Sequence, residues 1–191
     1  MQHNINERCH YQKITDIYSE CSADHDRNSE TTALFFKTVQ NMMHYAVTKQ
    51  TAAEIIYDRA DAERPHMGLT TWKNAPDGRV IKSDVTIAKN YLSEKEIESL
   101  NFLSNAFIDV AELRARDHVL MTMADWKDVL NRYMELNNRA LLQDAGRITH
   151  EQAEEKALTE YEKFRVIQDR EIMSDFDRQL KTLFDGNEPP L

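Results

Sequence analysis

The chain has 191 residues, 41% of them apolar and 30% charged, which suits one folded domain and is too apolar for a disordered chain. Its 33 acidic and 24 basic side chains give a formal charge of -9, which argues against a general nucleic-acid binder, since such a surface needs positive potential. Four glycines and four prolines are too few for the frequent turns of an all-β fold, so an all-α, multi-helix domain with a long C-terminal helix is expected.

The segment MQHNINERCH has no apolar leader core, and no run of about 18 apolar residues occurs anywhere. A cytoplasmic protein without a membrane partner is expected. The first helix is expected at about 6–22 and carries both cysteines, Cys9 and Cys21. Helical rise would separate them by roughly 18 Å, whereas a disulfide needs Cα atoms within about 7 Å. Two free thiols and a reducing compartment follow.

Further helices are expected at about 30–48, 52–62, 84–92, 94–117, 123–143 and 150–184. Leu34, Phe35, Val39, Met42 and Met43 form the stripe of the first of these. Ile97, Leu100, Leu103, Phe107, Val110 and Ala111 stripe the 94–117 helix. Trp126, Val129, Leu130, Tyr133, Leu136 and Leu141 repeat the pattern at 123–143. Such stripes read as core. Thr51 with Glu54, Ser93 with Glu96 and Thr149 with Gln152 have the form of capping boxes, and Ser29 and Thr122 of simple N-caps.

Between the helices, residues 63–82 contain Pro65, Gly68, Pro76 and Gly78 and read as a long loop, with a tight turn at Asp77-Gly78. Arg79-Val80-Ile81 is expected to form a short strand beside that turn. The last helix carries a narrow stripe of Ala153, Ala157, Tyr161, Phe164, Ile167, Ile172, Phe176, Leu180 and Leu183 on a charged background, long enough to project or to wrap a partner. The chain thus divides into a helical domain at 1–148, a long amphipathic helix at 149–184 and a frayed tail at 185–191.

Three polar groupings are candidates for chemistry. Glu54, Asp58 and Asp61, at i, i+4 and i+7, line one face if their helix runs to 62; the readings are a solvated face or a hard-metal site. His44 shares a face with Gln40 and is a candidate general base or metal ligand, with Gln40, Asn41 and Glu54 as possible partners; the blander reading is a half-buried histidine at a helix end. Thr70, Thr71, Trp72 and Lys73, joined by Lys89 and Asn90, have the ingredients of a phosphate or base pocket, unless Trp72 plugs the core. No HExxH or paired His/Cys spacing and no Walker A, GxGxxG or GxSxG element is present, so no closed zinc site is expected, no metal is assigned, no nucleophile is identified, and the residues name no cofactor.

The segment Phe35 to Lys73, FFKTVQNMMHYAVTKQTAAEIIYDRADAERPHMGLTTWK, resembles the signature of the RhuM virulence-protein family. So does DVTIAKNYLSEKEIESLN at Asp84 to Asn101, and more loosely MADWKDVLNRYM and KALTEYEKFR; the signature spans 35–101 and the similarity about Tyr11 to Phe184. Family members usually add an N-terminal module that looks like a DNA-binding domain, and this chain is expected to lack it. The His-Pro-Phe motif of Fic-type proteins, beside which some members are described, is absent. The resemblance implies that position 58 varies while Glu54, Arg59 and Asp61 fit the signature, which favours a polar network holding the next loop over a metal site. It implies no catalytic residues.

Two functions are weighed. The first is an interaction or oligomerisation domain, with a second copy or a helical protein as partner, in keeping with the long helix, the acidic balance and the missing catalytic motif. The second is an enzyme or a nucleotide-binding domain in which His44, Glu54, Arg59 and Asp61 cluster against the 65–73 loop. Nucleic-acid binding by this piece alone is not expected.

Overall fold

The computed structural model describes residues 30–171 and residue 180. The expected helix at 6–22 with its two cysteines, the Ser29 cap, the last helix beyond 171 and the 185–191 tail lie outside them. Among the described residues there are five α-helices and no strand: α1 (Glu30–Thr48), α2 (Ala52–Arg59), α3 (Glu94–Arg116), α4 (Met123–Leu136) and α5 (His150–Glu171).

Helix α1 buries Phe35, Val39, Met42, Met43 and Ala46 along one face. It stops where Lys49 turns to φ 63°, and Lys49 N–H closes on the Tyr45 carbonyl at 2.9 Å. Thr51 then starts α2 at once. Its side chain accepts from Glu54 N–H while the Glu54 carboxylate accepts from Thr51 N–H, so two N–H groups left over at the helix start are satisfied. The same reciprocal box opens α3 at Ser93 and Glu96, and Thr149 with Gln152 forms it at the start of α5. Thr122, expected as a simple cap, forms a full box with Asp125.

Four expected elements end or form differently. Helix α2 stops at Arg59, because Asp61 turns its carboxylate to Glu63 N–H at 3.0 Å, an Asx turn that competes with helix. The 84–92 stretch is a pair of turns followed by a 3-10 turn at Ala88–Tyr91, with Asp84 accepting from the N–H groups of Ile81 and Lys73. Helix α4 ends at Leu136, where Asn138 adopts φ 52°. No strand forms at 79–81; instead the Gln168 amide pairs with both backbone groups of Val80, at 2.8 and 3.2 Å, in place of a neighbouring strand.

The long irregular segment is therefore part of the core. Met67, Leu69, Trp72, Val80, Val85, Ala88, Tyr91 and Leu92 are all buried. Helix α5 packs on α2 and on the 65–68 turn rather than projecting over its described length. Ala153, Ala157 and Phe164 are buried, as expected from the stripe, and Tyr161 is partly so, but Ile167 is exposed. Glu160, unremarked in the sequence, is buried as well. Its carboxylate accepts from Ala62 N–H at 3.0 Å and is flanked by Lys156 and Lys163 at 2.7 and 2.8 Å. Phe107 of α3 meets Trp126 of α4 edge-on with ring centroids 6.1 Å apart, a contact worth about 1 kcal/mol beyond its burial.

Candidate functional site

The polar residues singled out in the sequence fall into four places. Arg59, at the end of α2, extends its guanidinium to the Glu96 carboxylate with two contacts of 2.8 Å, and its Nη1 also donates to the Tyr91 carbonyl at 2.8 Å. The hydrogen-bonded guanidinium holds the Glu96 carboxyl down at about 2. Glu96 already caps α3, so one carboxylate joins a helix start to the end of another helix.

Glu54 is buried beside its own cap. Burial opposes its ionisation, but N–H groups from Arg147 and Thr51, with the Thr51 hydroxyl, outweigh that and lower its pKa. The Arg147 N–H contact, at 2.9 Å, spans 93 residues and ties the 142–151 segment to α2. Asp61 serves the following turn, with Arg64 Nε 3.4 Å away. Asp58 accepts from Gln50 at 2.6 Å. Glu54, Asp58 and Asp61 therefore have separate protein partners, and no group of three metal-ligating side chains occurs among the described residues.

The 65–73 loop is consumed by structure. His66, Met67 and Gly68 are successive left-handed residues, with φ of 52, 61 and 80°. Such a run costs roughly 1–2 kcal/mol at each non-glycine position. Full burial of the Met67 side chain, with Met67 N–H on the Arg64 carbonyl at 2.9 Å, offsets it. Thr70 donates its hydroxyl to the Leu92 and Asn90 carbonyls, at 2.6 and 3.0 Å, and Thr71 N–H reaches the Asn90 carbonyl. Trp72 is buried, donates to the Gly78 carbonyl at 2.7 Å and stacks on His66 at 4.4 Å. Asn90 donates to the Asp84 carbonyl at 2.8 Å, and the Lys73 side chain is exposed.

What remains is His44. It is 3% exposed, and its Nδ1 is buried without a hydrogen-bond partner. Burial, helped by the charges of Lys89 and Arg59, lowers its pKa to about 4, so the ring is neutral at physiological pH. Gln40, His44 and Lys89 line one cavity of about 870 Å³. Four stretches wall it, with Leu100 of α3: the Leu34–His44 face of α1, residues 51–56, residues 86–89, and residues 142–151. Gly146 lets the last wall approach. Its φ is +85°, and a Cβ there would stand 2.7 Å from the Thr51 methyl group.

Of the residues singled out in the sequence, Gln40, His44 and Lys89 line this cavity, and Glu54, Arg59, Asp61 and Thr70 to Lys73 are not among its lining residues. The sequence did not single out Lys37, Asp144 or Glu151, which also line it, and offered Asn41 only as a possible partner of His44. Lys37 and Asn41 precede His44 at i-7 and i-3, a signal present in the helix register; the 142–151 wall left none.

The family model described as the virulence protein RhuM family matches residues 3–173. No curated protein and no solved structure matches. The chain belongs to the RhuM family, a virulence-associated family whose description names no activity.

Proposed function

We propose that this chain is a ligand-binding domain, with the His44 cavity as the site for a small organic molecule. The observation that carries this reading is that His44 lines the cavity while its Nδ1 is buried without a partner. An unsatisfied buried polar atom costs roughly 1–3 kcal/mol, and a ligand's hydrogen bond would remove that cost. The volume of about 870 Å³ is in the range that holds drug-sized ligands. Binding is preferred to covalent chemistry because the lining residues include no cysteine or serine, and two of the four lining threonines, Thr38 and Thr51, donate their hydroxyls to the Leu34 carbonyl and to Glu54. A screen of small fragments followed by histidine NMR tests it. Fragments should move the His44 resonances, and Ala53→Phe, which fills the cavity, should abolish the effect. Fragments that bind without touching His44 count against the reading.

A second reading, self-association through the last helix, is favoured by Val166 and Ile167, which are exposed on α5. A helical partner protein would use the same face. Light scattering at several concentrations tests it: a mass fixed at 22.3 kDa up to high micromolar concentration excludes the dimer.

A further inference from the structure

The walls of the cavity differ in hydrogen-bonding character. On α1, Asn41 places its side-chain oxygen on Ala52 N–H at 3.2 Å, which leaves its amide N–H groups as what it can offer a ligand. Lys37 lies one turn before Asn41 and His44 nearly one turn after it, all three on the cavity wall. Lys89 lines the cavity from the 86–89 stretch. The acidic lining groups, Asp144 and Glu151, come with His150 from the 142–151 wall. Burial is the main reason the His44 ring resists protonation, and the cationic charges of Lys89 and Arg59 add to it.

We propose that the His44 end of the cavity receives a carboxylate or phosphate group of the ligand, between the imidazole and the Lys89 ammonium. This rests on the reading of the cavity as a ligand site. The amide N–H groups of Asn41, whose oxygen is already used, and the Lys89 ammonium on the neighbouring wall favour an acceptor-rich group. An anion accepts from an N–H of the neutral ring and from Lys89 together, and charge-assisted hydrogen bonds are about twice as strong as neutral ones. An anion beside the ring also counters the Lys89 and Arg59 charges, which add to burial in keeping it deprotonated, so bound ligand raises the pH at which His44 takes up a proton. Lys37, Asp144, His150 and Glu151 are the other titratable groups on the cavity walls, and all four side chains are exposed and screened by solvent.

Matched probes at constant ionic strength test this on the full chain: benzoate against benzamide, and phenyl phosphate against benzyl alcohol, read by the His44 ring resonances. The anionic member of at least one pair should bind about tenfold or more tightly than its neutral partner, the size expected for one charge-assisted contact. Lys89→Met, on a half-exposed side chain, should erase that preference while neutral probes bind as before. His44→Phe, followed by calorimetric titration because the imidazole probe is gone, should also erase it. Equal binding of anionic and neutral probes at His44 overturns the anion inference and leaves the cavity reading standing. So does an anion preference that survives Lys89→Met. If no probe moves the His44 resonances, the cavity reading itself falls, and the anion inference with it.

Discussion

Arg59 and Glu96 stand 37 residues apart in sequence and meet through two parallel contacts of 2.8 Å, the fork of one matched to the carboxylate of the other. Both side chains are about three-quarters covered, at 24% and 23% exposure, so the pair is neither a surface ion pair nor fully buried. Its position decides its weight: Glu96 caps α3, while Arg59 also holds the Tyr91 carbonyl just before that cap.

Arg59→Lys is expected to destabilise the domain by about 1–2 kcal/mol despite keeping the charge, because an ammonium cannot make the bidentate contact and hold the carbonyl together. Arg59→Met should cost more, about 2–3 kcal/mol, since it leaves Glu96 without its cation. A double-mutant cycle with Glu96→Gln, read by urea denaturation, should give a coupling of about 1 kcal/mol or more. Additive single mutants would show that the contact contributes geometry alone.

The pKa shifts set two separate windows of pH dependence. His44 is held down to about 4 in the folded state against 6.5 unfolded, so the unfolded chain binds the extra proton. Its contribution is complete above about pH 6.5 and is lost as pH falls through 4. Glu96 and Glu160 are each held down to about 2 against 4.5, by Arg59 and by Lys156 with Lys163 respectively. Their contributions are complete above about pH 4.5 and are lost as pH falls toward 2. Unfolding midpoints from pH 8 to about 3 should therefore fall in two limbs. His44→Phe should remove the upper limb and raise stability at neutral pH by about 1 kcal/mol, by deleting an unsatisfied buried group. Loss of stability at neutral pH would argue that the imidazole has a partner in solution.

Gly68 should not tolerate alanine. Its φ is +80°, and an added Cβ would sit 2.4 Å from the Arg59 carbonyl oxygen, a backbone atom that cannot step aside. Gly68→Ala is expected to cost at least about 2 kcal/mol, combining the left-handed strain with the clash. Gly78→Ala tests the clash separately, since a Cβ there also lies 2.4 Å from a backbone oxygen, that of Asn74, with no positive φ to add. Thermal unfolding of the two variants, with Gly68→Ala the lower, checks the ranking.

Gln168→Met keeps the side chain's length and removes both bonds to Val80. Because the site is buried, the Val80 N–H and carbonyl would be left unpaired, and a loss of about 2–4 kcal/mol is expected for the two groups. Amide hydrogen exchange supplies the local readout. Val80 should exchange faster in the variant while α3 amides change less, and uniform acceleration would indicate that Gln168 holds the whole fold instead.

Helix positions and starts were legible in the sequence because their causes are local. A stripe repeats every three or four residues, and a capping hydroxyl finds its N–H three positions on, so Thr51, Ser93 and Thr149 could be read from their own neighbours. The family was legible for a similar reason, being carried by a continuous signature. The site was half legible. Gln40 and His44 share a helix face, but their meeting with Lys89 needed the 86–89 stretch to pack against α1. Tertiary structure alone decided that Arg59 faces Glu96, that Glu54 holds Arg147, and that Gln168 stands in for a strand beside Val80. A polar side chain takes whichever complementary group packing brings within about 3 Å, and over separations of 37, 93 and 88 residues nothing in the local sequence sets that choice.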